Sequence, residues 1–255
     1  MNLRFMDMAL SQFEFIENDQ VTLATDGHYL VYDPIHVLTV FKEEKEASVR
    51  DYLHVVFHCV YRHMYIHSLV NEDLWNLACD IAVEKTISEL ELKSVDSKRH
   101  IKQKEVIEQL QDKLKIVTAQ KIYHYFFEHN LSESETAYLS SLFRADDHVF
   151  WYMDEDKKNQ QLGIGTDDPN QENNRDSADH LSDQSDSNGS TESTETGGIT
   201  SIPSRQQMEN QWKDISEHMQ MDLNTFSKQI GNQAGGLIQN LREVNRERYN
   251  YEWIL

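Results

Sequence analysis

The chain is short of turn-formers, thiols and positive charge. Its 255 residues include 3 Pro and 9 Gly. A turn-rich all-β fold uses more of both at its chain reversals, so the shortage favours long helices. The two cysteines, Cys59 and Cys79, make neither a CxxC pair nor a disulfide framework. Both lie in apolar, helix-like runs and read as reduced core thiols of a cytoplasmic protein. Lys and Arg number 24 against 44 Asp and Glu, a formal net charge of −20. Phosphate backbones and anionic membrane surfaces are both held by clustered Lys and Arg, and the sequence carries no such stripe. No apolar run approaches the ~18–20 residues of a spanning helix. Residues 1–17 lack the basic start and apolar block of a secretion signal. Hydrophobic residues make up 38%, below the ~45–50% (Gly included) of an ordinary globular chain. Part of the chain is therefore expected to stay outside any core.

What is present reads as mainly α with a small β-hairpin, an α+β chain. Phe5, Met8, Ala9, Phe13 and Ile16 fall at helical spacing and predict an amphipathic helix over residues 1–17. Val21, Leu23, Leu30 and Tyr32 flank Asp26-Gly27, a hairpin signal. Asp33-Pro34 closes the strand and opens a helical stretch through residue 92. One break is expected near 70–73, with Asn71 or Asp73 as the next N-cap. Residues 94–116 are rich in Lys, Glu and Gln and predict a solvated excursion or an exposed helix. Another amphipathic helix is expected over 117–129. Ser132 and Glu135 then form a capping box.

Residues 154–202 change character. Between 154 and 200 there are 12 acidic and 3 basic residues and no Phe, Trp or Tyr. Such a stretch cannot bury enough apolar area to offset its ordering entropy, so a disordered acidic linker is expected. It divides a first domain, 1–153, from a helical segment, 203–255, expected to pack back on it. The closing YNYEWIL is apolar where termini are usually polar. This predicts either a tightly docked end or a further domain beyond it.

The chemistry concentrates in Asp51-Tyr-Leu-His54-Val-Val-Phe-His58-Cys-Val-Tyr-Arg-His63. Four helical steps of ~100° place His54 and His58 within about 40° of one face, the i, i+4 spacing with which two imidazoles chelate one metal ion. In a zinc hydrolase the residue after the first His is Glu, the base toward water; here it is Val55. Asp80 is the best third ligand, a carboxylate in the middle of an apolar helix, where Asp is rare unless paired or on a metal. His148, in Asp146-Asp147-His148, is a weaker one. Glu84, one turn after Asp80, is the preferred substitute base, and Asp51 the next. His63 falls opposite His54 on the wheel, so His63 and His67 read as surface or outer-layer groups. The plain alternative is that His54 and His58 are buried helix residues bonded to carboxylates. Trp75 reads as a core anchor, and Tyr29 and Tyr32 as an edge that could pair with an extended peptide.

In order along the chain, these pieces resemble a known arrangement. TDGHYLVYDP is similar to T-D-G-x-x-x-x-Y-N-P, and LHVVFHCVYRH to H-E-x-x-H-x-x-x-x-H. LWNLACDIAVEKTI is similar to W-N-x-A-x-D-x-x-x-N-x-x-L, DDHVFW to D-x-H-x-x-W, and GGLIQNLREVNRERYNYEWIL to a helix leading to W-x-x-L-L. Together they resemble the bacterial putative metallopeptidase domain that lies N-terminal to von Willebrand factor A-like domains. The likeness covers residues 1–151 and 205–255. It implies a zincin-like helix in an α+β fold and a zinc ion on His54 and His58 with Asp80 as third ligand. It also implies a protein or peptide partner, such as a MoxR-type AAA+ ATPase or a von Willebrand factor A-domain protein. Val55 stands where the motif has its glutamate, and Glu84 where it has an asparagine. The expected function is thus a metal-binding or interaction module with impaired catalysis. The alternative is an active zinc peptidase with a relocated base such as Glu84.

Overall fold

A computed structural model describes residues 3–66, 70–164, 202–230 and 235–246, with the backbone alone over 226–230. A 3-10 turn, Leu3–Met6, leads into the short helix α1, Asp7–Leu10. Strands β1 (Glu14–Glu17), β2 (Leu23–Thr25) and β3 (Tyr29–Tyr32) follow. Then come helices α2 (Pro34–Glu43), α3 (Lys45–Val60), α4 (Glu72–Glu89), α5 (Lys98–Lys113), α6 (Ala119–Glu128) and α7 (Glu133–Phe143). A 3-10 turn at Val149–Trp151 precedes α8 (Glu155–Gln161), and α9 (Arg205–Ile230) and α10 (Gly235–Arg246) complete the described chain. The fold is the expected α+β one. Among the described residues, no helix is long and apolar enough to cross a membrane.

The expected helix over 1–17 gives way to a turn, one helical turn and a strand. β1 runs parallel to β3, Phe15 facing Leu30, while β2 pairs antiparallel with β3, Ala24 facing Val31. The ladder to β3 satisfies backbone groups that a continued helix would have bonded internally, and the β-forming Phe15-Ile16 pair suits it. The hairpin is as expected. Asp26 Oδ1 accepts from the backbone N–H of His28 and Tyr29 at 2.9 and 2.8 Å, and Gly27 takes φ +94°. The order β1-β3-β2 places Tyr29 and Tyr32 on the central strand. That strand has no free edge, so the peptide-pairing edge expected there is not available.

The stretch 34–92 breaks twice. Glu44, with extended backbone (φ −158°), separates α2 from α3, and residues 61–71 separate α3 from α4. Asn71 caps α4 as expected, accepting from Leu74 N–H at 3.1 Å. From Leu74 to Ile87 nearly every side chain of α4 is buried. A helix apolar all round belongs at the centre, and α3, α5, α6, α7 and α10 pack around α4. The solvated stretch after it is a helix, α5, docked through Gln103, Ile107 and Leu110. The capping box at Ser132 and Glu135 is present. Where the acidic linker was expected to begin, residues 155–161 are helical. Lys158 Nζ pairs with Asp26 at 2.7 Å and Leu162 is buried, contacts that tie this turn to the hairpin. Residues 165–201, His67 and the closing YNYEWIL lie outside the described residues.

Helix α9 completes the core. Trp212 is fully buried, rests on Phe13 at 5.6 Å between ring centroids and donates its indole N–H to Gly27 O at 2.7 Å. The same glycine is crowded on its other side, where a Cβ would overlap the Tyr65 hydroxyl. Gly27→Ala combines positive-φ strain with that overlap, an expected loss of about 2–4 kcal/mol. Urea unfolding of the variant beside wild type measures it, and an unchanged midpoint would show that the turn relaxes freely.

Candidate metal centre

Helix α3 supplies His54 and His58, both fully buried. Helix α4 crosses beneath and supplies Asp80 and Glu84. The third contribution comes from the segment after α7. Asp147 binds outward to β2: its N–H donates to Leu23 O at 2.7 Å, and its carboxylate accepts from the Thr22 N–H and hydroxyl at 3.1 Å each. Arg144 closes an ion pair on the same carboxylate. Asp147 alone bridges to Ala24 of β2, and its two neighbours, Asp146 and His148, are buried on the other side of that contact.

These side chains converge. His54 Nε2 lies 3.4 Å from Asp80 Oδ1 and 3.4 Å from Asp146 Oδ1. His58 Nε2 lies 3.3 and 3.8 Å from the same two oxygens. One ligand atom from each of His54, His58, Asp80 and Asp146 falls within 4.8 Å of the others. For metal–ligand bonds of ~2.0–2.2 Å, tetrahedral ligands stand roughly 3.3–3.6 Å apart, a range that takes in three of these four separations. The donors, two imidazoles and two carboxylates, are of the type that binds zinc. Two buried polar atoms, His58 Nε2 and Asp146 Oδ2, have no aligned hydrogen-bond partner, although such atoms are normally satisfied.

The sequence expectation brought together His54, His58 and Asp80 and missed Asp146. The signal was a second acidic residue beside His148 in Asp146-Asp147-His148, but nothing local to the sequence says which of its two aspartates is buried. His148 is adjacent to the four. Its Nε2 lies 3.2 Å from Asp80 and 3.1 Å from Asp146, and its ring stacks on Trp151 at 3.7 Å.

A shell of hydrogen bonds aims the two helix histidines. His54 Nδ1 is 2.8 Å from Glu84 Oε1. His58 Nδ1 is 3.0 Å from His63 Nδ1, so His63 is a buried supporting group and not a surface one. Trp75, the expected core anchor, donates its indole N–H to His63 O at 3.2 Å. Glu84 does not fit the part of substitute base. Arg50 Nε lies 2.6 Å from Oε2, and Arg99 Nη2 lies 3.1 Å from Oε1. Its carboxylate meets His54 on the edge of the ring away from Asp80 and Asp146. Asp51, the second choice, is held by Arg99 at 2.7 Å.

Electrostatics follow the geometry. Burial disfavours charge on every group here. At His148 the Asp146 and Asp80 carboxylates outweigh burial and raise the imidazole to about 9. At His54, hydrogen bonds with Asp146, Asp80 and Glu84 outweigh it and hold the ring well above its ordinary value. Burial wins at His58, pulling it down to about 4. It also pulls His63 well below its ordinary value, with the neighbouring His58 and His148 adding to the shift. Asp80 and Asp146 are held well below the carboxylate range against burial, chiefly by His148. Glu84 is brought down to about 2 against burial by Arg99, His54 and Arg50. A base so acidic at rest is a poor proton acceptor near neutral pH.

A family model described as a putative metallopeptidase domain matches residues 4–254. The chain belongs to this family. Searches of curated proteins and of solved structures found no match. In this metallopeptidase-family chain the matched span takes in both helix histidines, the acidic partners and the helices α9 and α10 that close the core.

Glu84→Gln leaves the buried Arg50 and the half-buried Arg99 short of their counter-charge. Losing one member of a buried pair costs about 3–5 kcal/mol. The folded-state value near 2 lies below the ordinary 4.5. The ionised carboxylate therefore stabilises the fold in full above about pH 4.5, and less as pH falls toward 2. Unfolding free energies of wild type and variant should differ most at neutral pH and converge in acid. A gap that stayed constant across that range would remove the charge from the explanation.

Proposed function

We propose that this domain carries one divalent metal ion, zinc, on His54, His58, Asp80 and Asp146 and serves as a metal-loaded module that binds protein or peptide with little hydrolytic turnover. The observation that carries the reading is the buried set of metal-type donors itself, in which Asp146 Oδ2 has no hydrogen-bond partner and His58 Nε2 faces carboxylate oxygens at 3.3 and 3.8 Å without an aligned bond. Two carboxylates side by side in a core need positive charge. A divalent cation supplies it in one step and takes up the free valences.

The chain's own residues then have definite tasks. When Nε2 of His54 is the donor atom, Nδ1 carries the proton and Glu84 accepts it. His63 does the same for His58. Such partners fix tautomer and ring orientation and tighten metal affinity. Bound zinc supplies Lewis acidity toward a carbonyl group. What the helix lacks is the glutamate that the motif places after its first histidine. Val55, which follows the first histidine in place of the glutamate of the motif, is fully buried and apolar. Loss of a general base costs ~10²–10⁴-fold in rate. The partner belongs to the same proposal: by family resemblance, a MoxR-type AAA+ ATPase or a von Willebrand factor A-domain protein in the cytoplasm.

A second reading, an active hydrolase, draws support from a cleft of about 860 Å³ that reaches Asp80 and His148. Elemental mass spectrometry of the untagged chain should find close to one zinc per molecule, lost in His54→Ala, Asp80→Ala and Asp146→Asn. Absence of metal after zinc incubation would end the metal reading. Incubation with a mixed peptide library should leave it intact. Cleavage by wild type that disappears in His54→Ala would replace the impaired module with the hydrolase.

A further inference from the structure

The cleft over the metal centre has a one-sided charge. Of the residues at the metal centre, Asp80 and His148 line it, with His148 Nε2 3.2 Å from Asp80 Oδ1. Its walls carry Glu72 and Asp73 from the first turn of α4 and Glu133 from the first turn of α7. All three are exposed, and no ion pair is recorded for them among the described residues. Asp147 also lines the cleft, and the two lining residues that carry positive charge are both committed, Arg144 to Asp147 and His148 to Asp80 and Asp146. The space is of the size that admits several side chains.

We infer that the cleft selects a peptide segment bearing Lys or Arg, seated with its cationic side chains on Glu72, Asp73 and Glu133 and its backbone passing over Asp80 and His148. This rests on the function proposed above and names the chemistry of its partner. The three carboxylates line one cleft, and Glu72 and Asp73 are neighbours in the first turn of α4. The field there is felt by Tyr152 on the cleft wall. Its hydroxyl donates to Asn76 Oδ1 at 2.6 Å and is held above its ordinary ionisation range by burial first, then by Cys79, Glu72, Asp80 and Asp73.

The competing account is local. Carboxylates in a first helical turn oppose the macrodipole and stabilise the helix whatever binds nearby. That role changes melting temperature and leaves peptide preference untouched. The overall charge of −20 is a second competitor, since it attracts any cation at low salt.

Fluorescence anisotropy separates these accounts. The full, zinc-incubated chain is titrated into three dye-labelled peptides of equal length, one rich in Lys and Arg, one in Glu, one in Ser and Gly. The triple variant Glu72→Gln, Asp73→Asn, Glu133→Gln is compared with Glu43→Gln, Glu105→Gln, Glu108→Gln, which removes the same charge outside the cleft. The basic peptide should bind best, the cleft triple should weaken it about tenfold, and the control triple should leave it within twofold. Equal affinity for all three peptides, or equal weakening by both triples, would overturn the inference. Zinc content measured on the same samples keeps the two readings apart. A chain without metal that still prefers the basic peptide would fail only as a metal protein, and a zinc-loaded chain without preference would fail only here.

Discussion

Two carboxylates, Asp80 and Asp146, meet in the middle of the protein, and most of what surrounds them is arranged to make that tolerable. Burying like charges side by side is among the costliest things a fold can do. Here they are brought in from different parts of the chain, one on the central helix and one on the segment strapped to β2. They are faced by three imidazoles, of which His54 and His148 lean toward the charged form and His58 is held neutral. Asp146 Oδ2 is left without a hydrogen-bond partner, and His58 Nε2 faces the carboxylates without an aligned bond.

Around this centre runs an outer ring of opposite sign. Glu84 is gripped by Arg50 and Arg99, and Arg50 also donates to Val95 O at 2.9 Å and to the Ser88 hydroxyl at 2.8 Å. The ring therefore joins α3, α4 and the segment leading into α5. The pattern has a simple logic. A rigid carboxylate behind an imidazole sets its direction, and a rigid pair of guanidinium groups behind the carboxylate sets the carboxylate. The orientation of His54 is thus inherited from four parts of the chain and is not decided by α3 alone.

What the sequence disclosed and what it hid divide along a physical line. Features decided within a few residues were legible: the Asn71 cap, the Ser132 box, the Asp26-Gly27 turn, the i, i+4 histidines and the isolated Asp80 in an apolar helix. Features decided by partners far along the chain were not. β1 exists because β3 offers it a ladder, and its own residues read equally well as helix. Asp146 becomes a core residue only because Asp147 binds β2, 125 positions away. Glu84 looked like a base from its place on the helix wheel. Arg50 and Arg99, which pair with its carboxylate, lie on α3 and α5 and have no local relation to it. α8 holds on through Lys158 and Leu162 within a composition that otherwise reads as unstructured.

The strap at Asp147 has a wider consequence. One residue bonds to the sheet while its two neighbours lie at the centre, so a movement of the hairpin pulls on Asp146 and His148. An ion bound there would lend part of its binding energy to the hairpin. Amide exchange at β2 and β3 would then report its occupancy. The smallest structural element of the protein, three short strands, becomes the latch on its most deeply buried chemistry.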